Sequence, residues 1–225
     1  MRPGVGGFIV LLGRISLLNL CGAEPTANKL PPVDETSSDP ALKAFRDKLL
    51  ATIQKRDKTS LISVLAAGIK NDFGGGADGV EGFARQWRIN QPDSKVWQVL
   101  SDVLILGGTF TGPKTFCAPY VYSKFPDTLD AFGYEVIIRE SAALLVQPSA
   151  TAAVIQTLSY DIVEVDYDRS VRDAGQANYK WLKVTAPSGQ TGYLARADLR
   201  SPIDYRACFD KLDGAWKMVM LVAGD

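Results

Sequence analysis

Apolar residues follow two different spacings along this chain of 225 residues. In the first half they recur every three or four positions, as on one face of a helix. Asp39-Pro40 supplies a capping side chain followed by proline at the first helical position, and predicts a helix over Pro40–Lys55. Three more helices are predicted over residues 59–68, 78–87 and 93–105, with a short strand at 69–73.

In the second half the pattern changes to short β-branched runs between turns rich in proline, serine and glycine. Asp213-Gly214 predicts a two-residue hairpin turn, because these residues readily adopt the positive φ angles that such a turn requires. The chain is therefore predicted to be α+β. Its predicted strands are residues 115–122, 135–138, 154–158, 162–167, 181–185, 191–194, 206–209 and 216–222.

These patterns predict a chain of several parts. Their order is an export signal (1–23), a flexible linker (24–38), a helical or α+β part (39–131), a small β unit (132–200) and a C-terminal hairpin (201–225). Two arrangements stay open. In the first, the hairpin completes the 39–131 part and the β unit is an insertion, an order that resembles pieces of the cone-shaped nuclear-transport-factor-like fold. In the second, the parts follow one another in series.

Export is predicted from the first 23 residues. Arg2 gives a positive start, apolar runs follow, and Cys21-Gly22-Ala23 supplies the small residues of a cleavage site. Arg14 interrupts the apolar stretch, which departs from the usual pattern. Lipid attachment through Cys21 is the alternative. In both cases we expect a periplasmic or extracellular protein, and no other segment is apolar for long enough to span a bilayer.

Cleavage of the signal leaves two cysteines, Cys117 and Cys208. An oxidising compartment favours a disulfide between them. The alternative is a pair of buried free thiols, because cysteine is among the most buried residue types.

The β unit resembles a known family. Its matching residues are Trp181-Leu182-Lys183-Val184, Ser188-Gly189 and Gly192-Tyr193-Leu194. This hairpin signature is similar to that of bacterial SH3-like domains of exported proteins, in which a short helical turn, here residues 196–199, follows. The resemblance covers residues 132–200 and implies a small barrel that binds cell-wall polymer or a partner protein. The family's Asn-Val-Arg motif falls on Ala143-Leu144-Leu145, so a ligand contact through that arginine is not implied.

The chain contains no histidine, which excludes Ser-His-Asp and Cys-His catalysis and histidine-based zinc sites. Gly74, Gly76 and Gly79 have the spacing of a dinucleotide-binding loop, but the preceding residues 70–72 are too polar for the buried strand that such a loop follows. We therefore expect no cofactor and no metal. Basic and acidic residues number 25 each, which gives no electrostatic basis for nucleic-acid binding.

Aromatic residues of the β unit are the candidate ligand contacts, because SH3 domains bind extended ligands on such side chains. The β unit offers Tyr160, Tyr167, Tyr179, Trp181 and Tyr193, and the site is predicted at Tyr160, Tyr167, Trp181 and Tyr193. Core packing explains Trp181 equally well. The expected function is non-catalytic binding in the bacterial cell envelope. Two alternatives stay open: a glycan hydrolase that uses two carboxylates, and an α+β protein with a small-ligand pocket.

Overall fold

The structure is a computed structural model that describes Met1 and residues 28–224 except 75, 77 and 176. The predicted export signal, including Cys21, lies outside the described residues. Within the described chain, five α-helices and twelve strands form a mixed α+β fold with two sheets, which confirms the predicted class. No helix in this part of the chain is both long and apolar enough to cross a membrane.

All five helices precede the second sheet in the chain. They are α1 (Pro40–Lys55), α2 (Lys58–Ser63), α3 (Gly79–Gln86), α4 (Val96–Ile105) and α5 (Tyr120–Ser123). The strands are β1 (Leu65–Lys70), β2 (Thr109–Gly112), β3 (Thr115–Ala118), β4 (Tyr134–Ile137), β5 (Ala142–Leu145), β6 (Val154–Leu158), β7 (Ile162–Arg172), β8 (Tyr179–Thr185), β9 (Thr191–Ala195), β10 (Leu199–Arg200), β11 (Arg206–Leu212) and β12 (Ala215–Val222). A 3-10 turn at Arg196–Asp198 joins β9 to β10.

The first sheet has the strand order β1-β12-β11-β3-β2, with β1 and β12 parallel and the other pairs antiparallel. The C-terminal hairpin β11–β12 therefore lies inside a sheet whose other strands all come from residues before 119. Helical residues such as Leu42, Phe83 and Leu100 pack with Phe209 and Met218 in one buried core. Of the two arrangements that the sequence left open, the structure has the first, in which the β unit is an insertion.

The second sheet has the order β10-β4-β7-β8-β9-β5-β6. It curves around a core of its own, because Ile137 and Leu199, near one edge, share a buried cluster with Leu144 and Leu158, near the other. The sequence predicted five strands closed into a barrel. The sheet has seven strands and not five, because β5 and β10, which the sequence pattern did not predict, both pair with neighbouring strands.

Several boundaries differ from the predicted ones. Helix α2 ends at Ser63, and Leu65 already pairs with Met218 of β12, so a distant strand decides where this helix stops. The predicted strand 115–122 ends at Ala118, where a proline is followed by α5. Asp78 does not cap α3; its carboxylate accepts hydrogen bonds from the Asn71 backbone N–H and the Lys70 ammonium.

The described part of the predicted linker, residues 28–38, makes specific contacts with both sheets. The carbonyl of Asn28 accepts a hydrogen bond from Ile162 N at 2.8 Å, and Leu30 N donates to Tyr160 O at the same distance. The Glu35 carboxylate accepts from Phe110 N at 2.8 Å. The polar, proline-rich composition predicted a flexible tether, whereas the side chain of Leu30 packs against a small buried cluster and holds the segment in place.

Cys117 and Cys208 face each other on the paired strands β3 and β11 and are joined by a disulfide. They are 91 residues apart in the sequence, and the whole second sheet lies between them in the chain. The disulfide therefore closes the base of the insertion.

Candidate ligand-binding cleft

A cleft of about 800 Å³ lies where the second sheet meets the chain segment that returns to the first sheet. Strands β4, β7 and β8 and the 3-10 turn form its walls, and residues 201–204 form its remaining side. The side chains that decide its chemistry are Glu135, Tyr167, Tyr179, Lys180, Arg196 and Asp204.

Glu135 lies beneath the cleft and is only 2% exposed. A buried carboxylate is costly unless it is paired and hydrogen-bonded. The Tyr167 hydroxyl donates to its Oε1 at 3.0 Å, and Arg196 Nη1 donates to its Oε2. Desolvation raises the pKa of Glu135, while the Arg196 charge and the Tyr167 hydrogen bond act in the opposite direction.

Arg196 links this carboxylate to the returning segment. Its Nη1 also donates to the Leu199 carbonyl at 3.2 Å, and its Nη2 is 3.7 Å from Asp204 Oδ2. Arg200 Nη1 lies 3.3 Å from the same Asp204 oxygen. Burial lowers the pKa of the Arg200 guanidinium. Two carboxylates and two guanidinium groups thus neutralise one another at this point and hold the returning segment against the second sheet.

Tyr167 and Tyr179 form the aromatic wall of the cleft. Their ring centroids are 5.6 Å apart and their planes are tilted by 42°. Arg172 lies 4.1 Å from the Tyr179 ring centroid and donates to its hydroxyl at 2.8 Å. Burial and the Glu135 carboxylate raise the pKa of Tyr167, so its hydroxyl stays protonated and remains a donor.

The exposed side chains of the cleft carry both signs of charge. Lys180 and Asp173 line its rim, with the ammonium 3.8 Å from the carboxylate. Two exposed groups at that distance bind each other weakly, so each is available to a ligand. Asn178 adds an amide to the same lining. Aromatic faces beside amide and charged groups suit a ligand that presents hydroxyl, amide and charged groups in turn.

The four aromatic residues predicted as the site do not form one surface. Tyr167 is the one that lies in the cleft. Leu182 and Leu194 point into the core of the second sheet, so their neighbours Trp181 and Tyr193 lie on the opposite face. Trp181 is buried there at 9% exposure, which favours the packing role, and Lys183 Nζ covers the Tyr193 ring at 4.7 Å.

Tyr160 lies in the turn that precedes β7, with a left-handed φ of 56°. Its carbonyl accepts a hydrogen bond from Leu30 N, so the turn contacts the segment 28–38. Tyr160 does not line the cleft. Tyr160 and Tyr193 therefore stay predictions as ligand contacts on other parts of the surface.

Glu135 and Arg196 are site residues that the sequence reasoning missed. One signal is present in the sequence: Glu135 has the same parity along β4 as the core residue Ile137, which places an acid on the inner face of the sheet. Arg196 has no comparable signal, because it lies 61 positions after Glu135 and no local pattern specifies their contact.

No protein-family model, curated protein or solved structure matches the chain. Function is therefore inferred from the geometry of the cleft, together with the hairpin signature of the β unit.

Proposed function

We propose that this protein is a non-catalytic binding module, and that residues 132–200 are an SH3-like barrel whose cleft holds an extended ligand. One observation carries the proposal: the tilted pair Tyr167–Tyr179 lies beside the buried Glu135 and its partner Arg196 at an open cleft of about 800 Å³. The hydrogen bond from the Tyr167 hydroxyl to the buried Glu135 fixes one ring, while the second ring and the charged rim stay accessible.

Three features support the SH3-like assignment. The Gly192-Tyr193-Leu194 strand is followed directly by a 3-10 turn, in the order that the family resemblance implies. A Cβ at Gly192 would lie 2.7 Å from the Leu145 carbonyl oxygen, so glycine permits the close approach of β9 and β5. The curved sheet encloses a single apolar core.

The ligand class that the cleft suits best is a cell-wall polymer of sugar and short peptide. Tyrosine rings pack against sugar faces, and the opposite charges of Lys180 and Asp173 suit the amine and carboxylate groups of a peptide. The Cys117–Cys208 disulfide is consistent with an oxidising compartment such as the cell envelope.

A glycan hydrolase is the second candidate, and one observation favours it. Glu135 and Asp204 both line the cleft, and a raised pKa at Glu135 is what a general acid requires. Against this reading, both carboxylates contact Arg196, and Glu135 has both oxygens hydrogen-bonded within the protein. Non-catalytic binding explains these contacts better.

Co-sedimentation with purified bacterial cell-wall sacculi tests the proposal. Tyr179→Ala is expected to reduce the bound fraction, while the matched control Tyr193→Ala, which does not line the cleft, is expected to bind like the parent protein. Loss of binding in the control alone would contradict the proposed site. Release of soluble glycan by the parent protein but not by Glu135→Gln would favour the hydrolase.

A further inference from the structure

A second pocket, of about 230 Å³, lies where the chain crosses between the two sheets. The outgoing connection supplies Tyr122, Phe125, Leu129 and Ala131, and the returning connection supplies Ile203. Arg206, the first residue of β11, also lines the pocket. None of these residues lines the larger cleft, so the pocket is independent of the proposed function.

Arg206 is a buried cation without a matching anion in the described part of the chain. The residue is 4% exposed, and its guanidinium carbon lies 4.8 Å from the Tyr122 ring centroid and 5.1 Å from that of Phe73. Its Nη1 donates to the Ile203 carbonyl at 3.3 Å, and its buried Nε has no hydrogen-bond partner. No carboxylate of the described residues forms an ion pair with it.

Other poorly exposed arginines of the chain are paired. Arg46, with 18% of its side chain exposed, lies 3.1 Å from Asp34, and Arg200, with 13% exposed, lies 3.3 Å from Asp204. Burying a charge without a partner is strongly unfavourable, and stacking on aromatic rings offsets only part of that cost. Arg206 lies at the wall of an open pocket, so an anion that enters from outside the chain would neutralise its charge.

We propose that this pocket binds a small organic monocarboxylate with a compact apolar group. The carboxylate pairs with Arg206, because a guanidinium matches carboxylate geometry. The apolar group packs against Tyr122, Phe125 and Leu129. A volume of about 230 Å³ is below the range of about 300–1,000 Å³ that drug-sized ligands occupy, so the ligand is small.

The exposed Asp127 also lines the pocket and restricts the charge of the ligand. A single carboxylate can pair with Arg206 while staying away from this acid. A phosphate or a polyanion would bring additional negative charge close to it, and like charges repel. The pocket chemistry thus favours a monoanion.

Benzoate is the probe, because it joins one carboxylate to a compact apolar ring. Benzyl alcohol is the control, because it has the same ring but no charge. Thermal unfolding of the disulfide-intact protein is measured with increasing amounts of each compound. Benzoate is expected to raise the unfolding temperature in a concentration-dependent way, since it binds the folded state. Benzyl alcohol is expected to have little effect, because it cannot neutralise Arg206.

Two variants test the pocket by separate means. Arg206→Met keeps an apolar stem but removes the charge, and is expected to weaken benzoate binding by about 100-fold, as loss of a buried charge partner does. Ala131→Leu fills the pocket while leaving Arg206 in place, and is expected to abolish binding by exclusion. Far-UV circular dichroism shows whether each variant is folded. If Arg206→Met does not fold, the result for Ala131→Leu decides the test.

The carboxylate could come from a free acid or from the C-terminus of a peptide. A tripeptide that ends in phenylalanine tests the second source, and the same tripeptide with an amidated C-terminus is its control. A response to benzoate or to the free tripeptide, lost in Ala131→Leu, supports the proposal. An absent response to both probes overturns it, and so does equal binding by the parent protein and the two variants. Tyr179→Ala is expected to keep the response, so failure here is distinguishable from failure at the larger cleft.

Discussion

Cys117 and Cys208 are bonded across the neighbouring strands β3 and β11, and their Cα atoms are 4.2 Å apart although 91 residues separate them in the chain. The polypeptide thus leaves the first sheet and returns to it at one point. The chain between these two cysteines, which contains the whole second sheet and lines the cleft and the smaller pocket, is therefore a closed covalent loop.

Replacing both cysteines by serine is expected to destabilise the protein by about 2–4 kcal/mol, because the unfolded chain regains the freedom of a long loop. Urea unfolding measured by tryptophan fluorescence gives the free energy of unfolding. Reduction of the parent protein is the matched control and is expected to produce a similar loss. Equal stability with and without the disulfide would contradict a clamping role.

The pH dependence of stability reports on Glu135. Burial raises its folded pKa above the unfolded value of about 4.3, so the folded state holds the proton to higher pH. The stabilising contribution is present below the unfolded pKa and is lost as the pH rises through the folded pKa. The free energy of unfolding of the parent protein, measured relative to Glu135→Gln, is therefore expected to fall as the pH rises above about 4.

Urea unfolding of the two proteins in parallel at several pH values measures this difference. Comparison with Glu135→Gln cancels the titration of the exposed acids, which both proteins share. A difference that stays constant with pH would show that the pKa of Glu135 is not raised.

The hydrogen bond from Tyr167 to Glu135 is expected to contribute to stability. Tyr167→Phe keeps the ring but removes a donor 3.0 Å from a buried carboxylate, and is expected to cost about 1.5–3 kcal/mol. Tyr179→Phe is the matched control, because its hydroxyl pairs with the exposed Arg172, and a smaller change is expected. Equal losses in the two variants, measured by urea unfolding, would contradict the proposed support of Glu135.

Gly192 is expected to tolerate no side chain. An added Cβ would lie 2.7 Å from the Leu145 carbonyl oxygen and 2.8 Å from Leu144 Cγ, inside the core of the second sheet. Gly192→Ala is expected to lose about 1–3 kcal/mol of stability through overpacking. Gly68→Ala in β1 is the control, since nothing lies within 4 Å of its Cβ position. A stable Gly192→Ala variant would contradict the close packing of β9 on β5.

The sequence predicts best those elements whose causes are local. Helix α1 occupies the predicted Pro40–Lys55 because Asp39 accepts hydrogen bonds from Ala41 N and Leu42 N at its start. The hairpin between β11 and β12 turns at Asp213 and Gly214, whose φ angles are 48° and 82°. Both signals lie within a few residues of the structure that they specify.

The sequence predicts poorly what depends on distant partners. Strand β1 exists because Leu65 pairs with Met218 and Lys70 with Met220, so a local pattern compatible with a helix was misleading. The ligand cleft is likewise missed, since Glu135 acquires its partner Arg196 only when the second sheet forms. Aromatic side chains were visible in the sequence, but which face each one occupies depends on strand register.

Chemical-shift mapping of the isotope-labelled protein with soluble cell-wall fragments tests the central claim most directly, because it locates the bound ligand residue by residue. The predicted result is a concentration-dependent set of shifts at Tyr167, Tyr179, Lys180 and Arg196, with Trp181 and Tyr193, which do not line the cleft, unchanged. Shifts confined to Trp181 and Tyr193, or no shifts at saturating fragment, would contradict binding in the cleft.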